Sequence, residues 1–209
     1  QEGKSLLYVG REGKFEGLIA LRDALRPEAA RVFKELKSLG ITKTIMLTGD
    51  HADTAQAVAQ DLECLDEVHW ELKPEQKAII VQELQGNGGF SAFAGDGVND
   101  APALMAAEVG ICMPDAADLA RETAQVVLLQ QDLCSLVTAR RIALQTQGII
   151  KNCFKSSVGL NSLFLLLAGS GRISPVMAAV LHNASTVGTL GYAALSAMND
   201  PKKLKEKCL

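Results

Sequence analysis

Three short strings carry the residues able to do chemistry. Thr48-Gly49-Asp50 follows the apolar run Ile45-Met46-Leu47, and Lys77 stands just inside a stretch opened by Pro74-Glu75-Gln76. Gly95-Asp96-Gly97-Val98-Asn99-Asp100-Ala101-Pro102-Ala103-Leu104 follows the apolar run Ala92-Phe93-Ala94. Glycine lets the main chain approach a phosphate closely, and a hydroxyl or the free N–H groups of a helix start can hold its oxygens. Asp96 can hold Mg²⁺, a hard cation that favours carboxylate oxygen. Lys77 can meet a phosphoryl oxygen as a point charge. Two of these strings also have plainer readings: Asp50 as a helix cap, and Lys77 as a solvated surface charge. GDGVNDAPAL, ten residues in an order far from any generic turn, does not.

These strings need strand ends to hold them. LLYVG and FEGLIAL read as two strands around a Gly-Arg-Glu-Gly turn. Pro27 opens a helix, PEAARVFKELKSLG, with Ala30, Phe33, Leu36 and Leu39 at helical spacing and Gly40 as its stop. Strand and helix then alternate: TIMLTGD, a helix from Ala52 to Leu62, EVHWEL, PEQKAIIVQELQ, FSAFAGD and DAPALMAAE. VGICM, a short helix near Ala117 and QVVLL complete the series. Apolar runs between helices predict an α/β fold, a parallel sheet covered on both faces. In such sheets ligands bind beyond the carboxyl ends of the strands, where Thr48, Gly49, Asp50, Gly95, Asp96, Asn99 and Asp100 stand.

Composition narrows the class. The chain is 48% hydrophobic and 22% charged with a formal charge of -3, which suits a globular fold and excludes a disordered one. With no basic excess and few aromatics, a nucleic-acid platform is not expected. The five cysteines (Cys64, Cys112, Cys134, Cys153, Cys208) form no C-x-x-C pair, which fits a reducing compartment without structural zinc. Between Ser156 and Asn199 the sole Asp, Glu, Lys or Arg is Arg172. A bilayer needs about 20 mostly apolar residues per helix, so a transmembrane hairpin is predicted, with helices at about 149–169 and 175–197. Lysines flank its outer ends (Lys151, Lys155; Lys202, Lys203, Lys205, Lys207), which predicts both chain ends and the α/β part in the cytoplasm. The start at Gln1 reads as that of a piece of something longer.

The strings together resemble the second half of the phosphorylation domain of P-type cation-transporting ATPases, a haloacid-dehalogenase-like fold. The similarity runs from Asp23-Ala24-Leu25-Arg26-Pro27 through Thr48-Gly49-Asp50 and Lys77 to Gly95–Leu104. It implies the following division: 1–17 as the tail of a nucleotide-binding domain, 18–147 as the phosphorylation-domain half, 148–200 as two membrane helices and 201–209 as a basic tail. It implies Asp96 as Mg²⁺ ligand, with Asn99 and Asp100 positioning the phosphoryl group and the metal. Thr48 would bind a phosphoryl oxygen, Gly49 and Asp50 would complete that turn, and Lys77 would neutralise phosphate charge. Asp23 and Pro27 would lie at the hinge to the nucleotide domain. The family's phosphorylated aspartate lies in Asp-Lys-Thr-Gly-Thr, and no Asp here is followed by Lys-Thr-Gly. The nucleophile and most of the ATP site therefore lie outside these residues, and the remaining N-terminal part of the pump is an implied partner.

Ending after two membrane segments resembles the heavy-metal subclass. Polar residues at membrane depth are functional candidates by default. His182, Ser185 and Thr186 share one helix face, Asn183 lies about 100° from His182, and Asn161 is deep in the first segment. Imidazole suits Zn, Cu, Co or Ni, whereas Ser185 and Thr186 also fit simple helix–helix hydrogen bonding. His-Asn-Ala-Ser-Thr is most similar to the branch with His-Glu-Gly-x-Thr, with Asn183 in place of the carboxylate. The function implied is ATP-driven transport of a heavy-metal cation, of the divalent transition-metal class, across a membrane through an aspartyl-phosphate. A truncated, non-catalytic membrane-anchored module is the alternative, and a soluble phosphatase of the same fold ranks behind both.

Overall fold

The computed structural model describes residues 5–21, 25–62, 64–86, 89–96, 98–116 and 118–198. Asp23, Gly97 and the basic tail from Pro201 lie outside the described residues. The chain divides into two compact units, Gln1–Val137 and Thr138–Leu209.

The first unit opens with an antiparallel hairpin, β1 (Ser5–Arg11) and β2 (Lys14–Leu21). Its two-residue turn, Glu12-Gly13, has positive φ at both positions, the conformation that matches strand twist. Helix α1 (Ala29–Ser38) follows the Pro27-Glu28 turn and stops at Gly40, whose φ of 89° only glycine adopts freely. Its deepest residues are Ala29 and Val32, and the apolar positions Ala30, Phe33, Leu36 and Leu39 are partly buried. Ala29 meets Leu62 and Cys64 beyond α2 (Ala52–Asp61), while Ala30 and Phe33 flank that contact.

Strands β3 (Ile45–Leu47) and β4 (Glu67–His69) pair in parallel, as do β5 (Ala92–Gly95), β6 (Val109–Cys112) and β7 (Val126–Val127). The parallel α/β character is thus observed, but the expected single sheet comes in two hydrogen-bonded pieces. Among the described residues no strand pairs with both β3 and β5. The pieces are joined instead through side chains: Leu47 of β3 and Phe93 of β5 pack on Val81, Ala103 and Ala107. Val81 belongs to α3 (Pro74–Gly86), Ala103 to α4 (Ala101–Ala106). The small alanines bring α4 close to α3, and Leu104, fully buried with Cys112, Ala116 and Ala120, anchors the end of GDGVNDAPAL. Burying such a side chain contributes about 1.5–3 kcal/mol. Helix α5 (Asp118–Thr123) completes the layer.

Two carboxylates pin the loops that enter the strands. Glu108 accepts from the Ser91 N–H (2.8 Å) and hydroxyl (2.9 Å) just before β5, and these bonds lower its pKa. Asp66, just before β4, accepts from Lys37 Nζ (2.8 Å), the Thr44 N–H (2.7 Å) and Thr44 Oγ1 (2.9 Å). The Lys37 ammonium, then Thr44, hold the Asp66 carboxyl down at about 2. A depressed folded value means stabilisation that is complete above the ordinary carboxylate pKa of about 4 and is lost as pH falls through the folded value. Hydrogen-exchange protection of the Thr44 amide should therefore hold from pH 7 down to about 4 and collapse towards pH 2. Asp66→Asn should show weaker protection at neutral pH and no such fall; a parallel fall in both proteins would refute the clamp.

The second unit holds most of α6 (Cys134–Gly169) and α7 (Pro175–Met198), with Gly171 at φ 71° in the loop. Helix α6 begins well before the expected span at about 149–169 and ends at Gly169, and α7 occupies Pro175–Met198. The apolarity expected of a transmembrane hairpin is not observed: among the described residues no helix is long and apolar enough to cross a membrane. Lys151, Asn152, Lys155 and Asn161 dilute the apolar run of α6, and His182, Asn183, Ser185 and Thr186 that of α7.

Candidate functional site

At the end of β3 the chain is zipped to the segment that follows β4. The Thr48 N–H donates to the His69 carbonyl (3.0 Å), extending the parallel ladder by one residue. Returning bonds run from the Leu72 N–H to the Thr48 carbonyl (3.1 Å) and from the Glu71 N–H to the Asp50 carbonyl (2.9 Å). Inside the turn, Thr48 Oγ1 donates to Asp50 Oδ2 (2.7 Å) and accepts from the Asp50 N–H (3.1 Å). Asp50 therefore steadies Thr48 and does not cap α2, whose N-cap is His51 without a side-chain bond. Gly49 sits where a Cβ would stand 3.3 Å from the Leu72 carbonyl oxygen, a close approach that any larger residue would strain.

Residues 70–73 lead directly into α3. The Gln76 side chain accepts from the Lys73 N–H (2.8 Å) and so secures the helix start. One turn on, Lys77 Nζ donates to Asp100 Oδ1 at 2.8 Å, with the two side chains only 13% and 14% exposed. Lys77 is thus paired, not solvated. Asp100 stands at the N-cap of α4 yet makes no cap bond, because its carboxylate is turned to Lys77. Gly95 makes this possible: a Cβ there would lie 2.8 Å from Asp100 Cβ and Oδ2. Asp96 and Asn99, between Lys77 and Asp100 in sequence, are exposed.

Strand β3, the 69–72 segment and α3 thus connect Thr48, Gly49 and Asp50 with Lys77, and Lys77 with Asp100. A hydroxyl, close-approach glycines, one ammonium and several carboxylates form a donor set for a phosphoryl group with a hard cation. Among the described residues no three His, Cys, Asp or Glu side chains converge on a metal position. Asp96 is exposed at the carboxyl end of β5.

Two contacts escaped the sequence reading. Glu71 has φ 54°, unusual for a residue with a Cβ, and its Oε1 lies 3.3 Å from His51 Nδ1. It holds the 69–72 segment against the Thr48 turn; the only signal available was a compressed link between EVHW and Pro74. In the second unit, His182 and Asn161, expected separately, are a bonded pair: Nδ1 and Oδ1 are 2.8 Å apart. Ser185 Oγ (2.8 Å) and Thr186 Oγ1 (3.0 Å) both donate to the His182 carbonyl, and Asn183 is exposed away from this pair.

Comparison with known proteins identifies the family of the chain. The profile of the haloacid dehalogenase-like hydrolase family matches residues 1–108. A zinc-exporting P-type ATPase of Mycobacterium marinum is 42% identical over 195 residues, covering 93% of this chain and 26% of that protein. A manganese-exporting P-type ATPase of Mycobacterium tuberculosis is also 42% identical, over 93% of this chain and 27% of its own length. The crystal structure of a zinc-transporting PIB-type ATPase in its E2.Pi state superposes with a TM-score of 0.83 at 35% identity, over 94% of this chain and 32% of that one. The chain spans about a quarter of the length of these curated relatives. Over that span it is homologous to heavy-metal P-type ATPases, and it belongs to the haloacid dehalogenase-like hydrolase family.

Proposed function

We propose that this chain is the phosphate-handling half of the phosphorylation domain, with the last two membrane helices, of an ATP-driven heavy-metal pump. The observation that carries this reading is the Lys77–Asp100 pair, packed under Gly95 and linked through α3 to the Thr48 turn. Phosphoryl transfer is mostly positioning and charge neutralisation, and these groups supply both. Thr48 Oγ1 and the main chain at Gly49 hold phosphoryl oxygens, and Lys77 neutralises their charge. Asn99 and Asp100 set the phosphoryl position. Mg²⁺, held by Asp96 with Asp100 beside it, supplies further neutralisation at those oxygens.

The aspartate that receives the phosphate belongs to the remaining N-terminal part of the pump, together with most of the ATP site. Among the described residues β3 pairs only with β4 and β5 only with β6, which favours this, since a strand from that part would complete the sheet next to Thr48 and Asp96. The hairpin reading is supported by the zinc-pump superposition, whose 94% coverage includes most of α6 and α7. Polar residues that disqualify a lone helix from spanning are what a bundled helix lining an ion path carries. The α/β part and both flanking lysine clusters then face the cytoplasm. Relatives named for zinc and manganese leave a transition metal as the cargo class, and His182 favours an imidazole-preferring ion.

The test is ATP hydrolysis by the complete protein with Zn²⁺, Mn²⁺, Co²⁺ and Cu⁺ added singly. At least one metal should stimulate it, and His182→Ala should cut that stimulation at least about tenfold. Stimulation by no metal would overturn the pump reading; unchanged stimulation in the variant would return His182 to helix packing.

A further inference from the structure

The seam between α6 and α7 carries three polar contacts. Asn152 Nδ2 donates to the Tyr192 hydroxyl (3.3 Å), Cys153 Sγ lies 3.9 Å from the Thr189 carbonyl, and Asn161 Oδ1 lies 2.8 Å from His182 Nδ1. As the residue number rises along α6 it falls along α7, so one antiparallel register sets all three. The position of Asn161 opposite His182 is therefore fixed by helix pairing and not by a chance rotamer.

A carboxamide oxygen only accepts hydrogen bonds. With Asn161 Oδ1 as the acceptor at 2.8 Å, a neutral imidazole carries its proton on Nδ1, which leaves the lone pair on Nε2. Neither helix contains a single Asp or Glu, so no carboxylate of α6 or α7 is available to orient the ring. Ser185 and Thr186 donate to the His182 carbonyl and not to its ring.

Resting on the transport reading above, we propose that Asn161 is a positioning residue and not a metal ligand. It fixes the Nδ1–H tautomer of His182 and presents the Nε2 lone pair to the transported ion. Metal-bound histidines commonly donate the other ring N–H to such an acceptor, and loss of that acceptor typically costs about 10–100-fold in metal affinity. A neutral acceptor adds no charge to the site, so the ion it serves is one that imidazole itself selects, such as Zn²⁺, over oxygen-preferring Mn²⁺.

The test uses the complete protein in detergent, ¹⁵N-labelled at histidine, with His182 assigned by its disappearance in His182→Gln. Long-range ¹H–¹⁵N correlation should show a protonated Nδ1 and a bare Nε2 before metal is added, and Zn²⁺ should shift Nε2. Asn161→Leu should release the ring to the Nε2–H form and weaken Zn²⁺ binding about 10–100-fold. Asn161→Asp, which keeps the acceptor, should restore the tautomer and bring affinity back to within a few-fold of the parent. An Nε2–H ring in the parent protein overturns the proposal. So does Asn161→Leu with unchanged tautomer and affinity, or Asn161→Asp as weak as Asn161→Leu. A tautomer governed by Asn161 with no response to Zn²⁺ would instead contradict the transport reading itself.

Discussion

Asp96→Asn in the complete protein is expected to reduce acyl-phosphate formation from ATP and Mg²⁺ by at least about 10³-fold, equivalent to some 4 kcal/mol of barrier. Asp96 is exposed at the carboxyl end of β5, and Asp100, the other carboxylate of its loop, is already committed to Lys77. The amide keeps the shape of the side chain and removes its charge, so the divalent cation loses its anchor in this chain. An exposed residue without packing contacts changes stability by no more than about 0.5 kcal/mol. Thermal unfolding of the variant should match the parent while phosphorylation disappears. Normal phosphorylation in a correctly folded variant would remove Asp96 from the site.

Gly95→Ala should be nearly as damaging, for a steric reason. The strand cannot retreat, because Gly95 is in register with Cys112 of β6 and its carbonyl accepts from the Met113 N–H (3.3 Å). A new Cβ would stand 2.8 Å from Asp100 Cβ, an atom close to the main chain with little freedom to move. Asp100 must shift, and its 2.8 Å contact with Lys77 opens. Misplacing a positioned group by about 1 Å costs on the order of 10²-fold in rate, and the overpacking itself about 1–3 kcal/mol in stability. Single-turnover phosphorylation of the variant by ATP, measured beside its unfolding midpoint, checks both. A parent-like rate would show that Asp100 need not be held where it is.

Much of the site was legible because its residues punctuate the chain. In FSAFAGDGVNDAPAL, an apolar run, glycines and an Ala-Pro helix start announce strand, turn and helix in order, and β5, the 3-10 turn Val98–Asp100 and α4 follow that order. Helix limits were equally plain where Pro27, Gly40 and Pro175 mark them. Pairing partners were not. Strand-like residues at β3 and β5 do not reveal which edge each uses, so the division of the sheet emerged only from the register. Side-chain pairs between separate elements were hidden for the same reason: Lys77 with Asp100, Glu71 with His51 and Asn161 with His182 are 23, 20 and 21 residues apart. Helical spacing in α1 gives the period of a face but not which residues meet Leu62 and Cys64, a contact made by Ala29.

Under the proposed function, the phosphate-handling groups of this chain serve an aspartate that lies outside residues 1–209. The most direct measurement is the location of the phosphate. The complete protein would be incubated with radiolabelled ATP, Mg²⁺ and a stimulating transition metal, quenched in acid, digested, and its labelled peptide sequenced. The expected result is a hydroxylamine-labile phosphate on a peptide outside residues 1–209, absent in Asp96→Asn. A label on any aspartate within residues 1–209, or no labile phosphate with any metal, would contradict it.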